Sequence, residues 1–174
     1  EHKKFIEETV AANPDKTWRI VTLHQDIYGS GEHSNEPEIT NLRYTLVPYF
    51  EQYDIDVVLT GHDHIYSRSE ILQGGKKTVE YTDEQFEEQL DKDMDAGENP
   101  EGRYIAVANI KDDTTDPDER AYLDYLKAVM DEDAIEQVNT DGQAVVNPEG
   151  ILYMTANSSS GSKYYDLVPR MQSY

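Results

Sequence analysis

No cysteine occurs in the 174 residues, which removes thiolate metal sites, cysteine nucleophiles and disulfides together. The compartment stays open on that ground, because many exported proteins also lack disulfides. Basic residues are scarce, with 15 Lys and Arg against 36 Asp and Glu and a formal net charge of −21. Nucleic acid is a poor partner for such a chain, since phosphate backbones are held by Lys and Arg. No apolar run approaches the ~20 residues of a membrane span, and no signal peptide is visible. Hydrophobic residues make up 37% of the chain and the mean hydropathy is −0.79. A domain of this length buries about 70% of the surface its unfolded chain exposes; the polar composition therefore places part of the length outside one core.

What the sequence does have is concentrated between Asp56 and Ser69, DVVLTGHDHIYSRS. The apolar run Val57, Val58, Leu59 stops at Gly61, and His62 and His64 follow. This is how a buried strand hands side chains to a site at its carboxyl end. Neutral imidazole is the commonest protein ligand for transition metals, and Gly61 is expected to let the backbone turn tightly enough to bring both rings to a centre. The same arrangement stands earlier in the chain, where Trp18 to Leu23 reads as a buried strand that runs directly into His24. His24 precedes His62 by 38 residues, with one helix and one strand between them.

Helical spacing of Phe5, Ile6, Thr9 and Val10 predicts a short amphipathic helix from His2 to Asn13, ended by Asn13-Pro14-Asp15. Ile39, Leu42, Leu46, Val47 and Phe50 predict a second helix over Glu38 to Tyr53, with Pro48 expected to interrupt its late part and kink it. Helix then strand, twice over, each strand ending at a histidine, indicates an α/β layered architecture with the site at the strand termini. Gly150 to Ala156 is a third buried-strand pattern. Glu70 to Leu72 reads as extended, Gly74-Gly75 as a turn, and Lys76 to Tyr81 as a returning hairpin strand.

Gly61-His62-Asp63-His64 followed by Tyr66, Arg68 and Ser69 is similar to the GHxH metal motif of the calcineurin-like metallophosphoesterases, and in particular to the GHxHxYxRS string of the purple acid phosphatase branch. Val21-Thr22-Leu23-His24 resembles the VxxH motif of the same family, and the string after Thr155 (Asn157 to Tyr165) is similar to one carried late in the catalytic domain by bacterial members. The fold implied is a β-sandwich flanked by helices. The activity implied is hydrolysis of a phosphate ester, assisted by two divalent or trivalent transition-metal ions of the Fe, Zn or Mn kind. By matching position, His24 and His62 are expected as ligands of the second metal and His64 of the first. The loop from Gln25 to Pro37 corresponds to one that carries a substrate-contacting histidine, so His33 is expected to touch phosphate or protonate the leaving group; a solvated loop histidine is the competing reading. Tyr66 and Arg68 are expected near substrate, Arg68 alternatively pairing with a local carboxylate. A chain of this charge repels phosphate esters, so bound metal is the natural local cation.

Only the later half of the family pattern is present: no DxH, GDxx(D/Y) or GNH(E/D) string occurs. Glu1 also opens the chain inside a helical pattern, and the sequence is therefore read as the C-terminal half of the domain, with the missing N-terminal half as its partner. Three imidazoles cannot complete two sites that each want four to six ligands, so the fragment alone is expected to bind metal weakly and to be inactive. The resemblance covers residues 1–79 and 148–174, and between them 80–147 reads as an acidic, mostly helical insertion, with helical patterns near Asp83–Leu90 and Asp118–Val138. Extracellular or cell-envelope location follows from the resemblance alone. Two other functions stay open. One is a catalytically dead relative acting as a binding or scaffold module. The other is calcium or partner binding through the insertion, where Asp91 to Gly97 spaces its carboxylates like the start of a calcium loop, but with glycine one position late.

Overall fold

The computed structural model describes residues 1–31, 33–34, 37–74, 113–117, 120, 136–138 and 145–156. Two helices, α1 (His2–Ala12) and α2 (Pro37–Gln52), accompany five strands. The strands are β1 (Ile20–Thr22), β2 (Val57–Thr60), β3 (Tyr66–Gln73), β4 (Glu136–Val138) and β5 (Ile151–Ala156). They form one sheet in the order β1-β2-β5-β3-β4. β1, β2 and β5 run parallel, in a register that pairs Thr22 with Leu59 and Leu59 with Met154. β3 is antiparallel to both β5 and β4.

This is the α/β architecture expected. The described residues supply one sheet with helices on one face; a second sheet of the implied sandwich is not among them. The helices cover the sheet through Ile6 of α1 and Leu46, Val47 and Phe50 of α2, which pack with Val58, Leu72, Ile151 and Tyr153 from the strands. Burial alternates along β5, with Ile151, Tyr153 and Thr155 enclosed, which is the period of two that a sheet with one covered face imposes. On the other face Tyr66, Arg68 and Glu70 of β3 are exposed.

Three expectations are corrected. Trp18 to Leu23 is not a buried strand: only Ile20–Thr22 pairs, and Trp18 and Ile20 are 63% and 59% exposed. The reason is position, since among the described strands β1 is the sheet edge and has β2 as its one neighbour. α2 also continues through Pro48, which lies on the exposed side of the helix; a proline on an exposed face costs the helix a hydrogen bond without forcing it to end. Finally, Glu136–Val138, at the end of the helical pattern over Asp118–Val138, is a strand that pairs Val138 with Ile71. The hairpin strand 76–81, the helical pattern 83–90, the calcium-like loop 91–97 and the string 157–165 lie outside the described residues.

The βαβ path from β1 through α2 to β2 is pinned at its base by Arg19. Its backbone N–H donates to Asp56 Oδ2 at 2.7 Å, and its guanidinium donates to Tyr53 O at 2.7 Å. Between α1 and the β1 edge lies a cavity of about 590 Å³, lined by Phe5, Ile6, Val10, Trp18, Ile20 and Leu46 among others.

Candidate active site

Parallel pairing of β1 and β2 sets the site. With Thr22 level with Leu59, the chain two residues further on brings His24 level with Gly61, and Gly61 N–H donates to His24 O at 3.0 Å. His62 is the next residue. Its Nδ1 lies 3.3 Å from His24 Nε2, with the rings edge-on at a centroid distance of 5.2 Å. The tight turn is made by His62 itself, at φ 68, rather than by Gly61, where an added Cβ would meet only ordinary contacts. A non-glycine residue held in the left-handed region stores strain, and such residues cluster at functional sites.

His33 comes from the loop between β1 and α2. Its ring packs against His62 with centroids 4.9 Å apart and planes at 67°. Of the site residues expected from the sequence, His24, His33 and His62 therefore converge in one cluster. His64 is half-buried further along the β2–β3 loop. Tyr66 opens β3 at the same end of the sheet, opposite Ala156, and is 66% exposed. Arg68 lies one step farther from the cluster, opposite Met154 on the solvent face. A shallow hollow of about 410 Å³ lies over the ends of β1 and β2, bordered by Thr22, Leu23, His24, Leu59, Thr60 and Gly61. It is smaller than the apolar cavity beside α1, and His24 lines both.

Charged residues that no sequence pattern singled out hold this cluster in place. The Asp63 carboxylate is fully buried and bonds His33 Nδ1 at 2.5 Å, while Ser34 Oγ donates to its other oxygen at 3.1 Å. Arg43, buried on α2, donates from Nε to Ile27 O and from Nη2 to Ser34 O at 2.6 Å. Its guanidinium also stands 5.0 Å from the centre of the Tyr28 ring. Asp26 is enclosed across the ends of β2 and β5, where Thr60 Oγ1 donates to its Oδ1 at 3.2 Å and itself lies 2.8 Å from Thr155 Oγ1. Burial pushes the Asp26 carboxyl up to about 6, with the Asp63 charge adding to the rise and the threonine hydroxyls opposing it. No periodicity signals which polar residues a fold will enclose. One signal was available for Asp63, its place between two ligand-type histidines.

The comparisons with known proteins bear on this same stretch. Residues 1–66 match the calcineurin-like phosphoesterase family. The match takes in His24, His33, His62 and His64 and ends at Tyr66. Purple acid phosphatase 1 of Ipomoea batatas is 40% identical over 72 residues, which is 40% of this chain and 15% of that protein. Phosphoenolpyruvate phosphatase of Allium cepa is 40% identical over 65 residues, 36% of the chain and 13% of that protein. Fe(3+)-Zn(2+) purple acid phosphatase 12 of Arabidopsis thaliana is 37% identical over 71 residues, 40% of the chain and 15% of that protein. The matched stretch thus spans less than a fifth of the length of these curated relatives. The calcineurin-like and purple acid phosphatase resemblance read from GHDHIYSRS has independent support, and phosphoester hydrolysis is the activity of the family that this segment matches.

The donor set can be tested for fit to a metal. Two imidazole nitrogens bound to one ion at about 2.0–2.1 Å stand about 2.8–3.0 Å apart in an octahedral site, and about 3.3–3.4 Å apart along the edge of a tetrahedral one. His24 Nε2 and His62 Nδ1, at 3.3 Å, fit that edge. The same distance also suits a hydrogen bond between the rings. Among the described residues no group of three or more His, Asp or Glu side chains is placed to hold an ion, so the pair by itself does not make a complete site.

Proposed function

We propose that this chain is the histidine-bearing segment of a metal-dependent phosphoesterase, acting on phosphate esters through a dinuclear metal centre. The observation that carries the reading is the convergence of His24, His62 and His33 at the carboxyl ends of two parallel strands, inside the segment that matches the family. His24 and His62 would hold one ion and His64 would serve the other. Iron, zinc or manganese suits imidazole donors. Two cations held there would supply polarisation of phosphoryl oxygens and a lowered pKa for a bound water.

The chain's own residues do the rest. His33, beside His62, contacts the substrate phosphate or its leaving oxygen. Tyr66, at the site end of β3, borders the substrate, and Arg68 extends that border along the strand. The remaining metal ligands come from an N-terminal half of the same domain, as the resemblance implies, and without them the fragment is inactive. Residues 80–147 form an acidic insertion into that domain, bounded by 1–79 and 148–174. Purple acid phosphatase likeness also favours an extracellular or cell-envelope location. Among the described residues no helix is long and apolar enough to cross a membrane.

Metal content and p-nitrophenyl phosphate turnover test the reading, measured on this chain and on the protein extended N-terminally. Two metals and turnover in the extended protein alone, both reduced by His62→Ala, uphold it. An extended protein that binds no transition metal and hydrolyses nothing overturns it.

A further inference from the structure

Asp63 lies between two histidines proposed as ligands, yet its carboxylate serves a different loop. It is fully buried and both oxygens are engaged by the β1–α2 loop, one 2.5 Å from His33 Nδ1 and the other accepting from Ser34 Oγ at 3.1 Å. The loop is shaped to reach it. Ser34 Oγ accepts from Gly31 N–H at 3.1 Å, Ser34 N–H donates to Gly31 O at 3.1 Å, and Gly31 passes so close that a Cβ there would fall on the Asp63 side chain. Arg43 secures the far side through Ser34 O. A buried carboxylate with two directed partners is built into the fold; a solvated loop charge has neither.

We propose that Asp63 is a positioning residue for His33. By accepting the Nδ1 proton it fixes the plane of the imidazole and commits the other nitrogen, Nε2, to the substrate, because the hydrogen bond made by one ring nitrogen sets the role of the other. The ring is thereby held against His62, 4.9 Å between centroids, at the mouth of the strand ends. This assignment rests on the phosphoesterase reading for what Nε2 meets, but not for the bond to Asp63. It divides the labour within the GHDH string, where the histidines face the metals and the aspartate between them aims a third histidine from another loop.

The experiment uses the full-length protein loaded with zinc. Asp63→Ala is expected to lower kcat for p-nitrophenyl phosphate about 10- to 100-fold, with KM changed less than about threefold and zinc content unchanged. Asp63→Asn keeps the shape and an acceptor oxygen for His33, while Ser34 Oγ can accept from the new amide, so it restores most of the rate. His33→Ala combined with Asp63→Ala is expected to be no slower than His33→Ala alone, as two parts of one device are not additive. Nitrogen-15 spectra supply a readout independent of turnover. A slowly exchanging Nδ1 proton on His33 is expected in the parent protein and in Asp63→Asn, and not in Asp63→Ala. Loss of zinc in Asp63→Ala, additive losses in the double variant, or an Nδ1 proton that survives Asp63→Ala each overturn the proposal. If the parent protein hydrolyses nothing, the phosphoesterase reading falls, and the Nδ1 proton alone decides whether Asp63 positions His33.

Discussion

His62 Nδ1 stands 3.3 Å from His24 Nε2 although 38 residues separate them in the chain. The proximity is a product of register: β1 and β2 are parallel neighbours, each strand ends at a histidine, and one helix of 16 residues returns the chain between them. Neither histidine needs the other to reach its place, because each is carried there at the end of its own strand.

Zinc added to this chain is therefore expected to raise its unfolding temperature modestly and through those two rings. A ligand that binds only the folded state at 100 times its Kd stabilises by about 2.7 kcal/mol, and an incomplete ligand set lowers what is reached at a given zinc concentration. His62→Ala or His24→Ala should abolish most of the shift in a thermal melt. A shift of equal size in both variants would place the zinc elsewhere.

Arg43 is a buried cation whose guanidinium closes the β1–α2 loop at Ile27 O and Ser34 O. Its replacement by Ala leaves two buried carbonyls without their donors and is expected to cost about 3–5 kcal/mol. Arg43→Lys should recover little, because one ammonium lacks the planar fork that reaches both carbonyls. Urea unfolding of the two variants measures this directly.

Tyr153 is 1% exposed, its ring meets Tyr28 at 4.6 Å, and its hydroxyl has no hydrogen-bond partner among the described residues. Burial drives its ionisation well above the ordinary tyrosine value. The folded state thus prefers the protonated form. The resulting stability is complete below about pH 10 and falls as alkali ionises the phenol in the unfolded chain first. Tyr153→Phe is expected to be neutral or stabilising by about 1 kcal/mol near pH 7 and to flatten the decline above about pH 10. Thermal melts from neutral to alkaline pH compare the two.

Gly31→Ala places a methyl group against the buried Asp63 side chain, with contact reaching back to its Cβ, so the collision cannot be relieved at the carboxylate tip alone. Overpacking of this kind costs about 1–3 kcal/mol. Stability and the His33–Asp63 bond should be lost together, and an alanine variant as stable as the parent with the bond intact would show that the loop has slack.

Much of this was legible in the sequence. The periodicity of α1, α2, β2 and β5 was strong enough to read because each buries one stripe or one face, and the histidines were marked by the strands that deliver them. What stayed hidden was set by neighbours. β1 has the composition of a core strand, but its place at the sheet edge leaves Ile20 in water. The end of the helical pattern over 118–138 pairs as β4 because β3 offers it an edge. Arg43, Asp26 and Asp63 look like surface charges one at a time, and only the folded loop shows that they are enclosed. His33 read equally well as a solvated histidine until Asp63 was seen at its Nδ1.

The edge formed by β1 has a consequence for handling the molecule. Phe5, Trp18 and Ile20 stand 70%, 63% and 59% exposed around one apolar cavity, beside a strand that has a single neighbour among the described residues. Such an edge invites another strand. Opposing it is the charge of −21, whose mutual repulsion keeps copies apart over a distance of about 10 Å at 0.1 M salt and only about 3 Å at 1 M. Ionic strength thus governs whether the chain stays dispersed: dilute buffer shields the exposed edge by long-range repulsion, and concentrated salt removes that shield while strengthening the attraction between apolar surfaces.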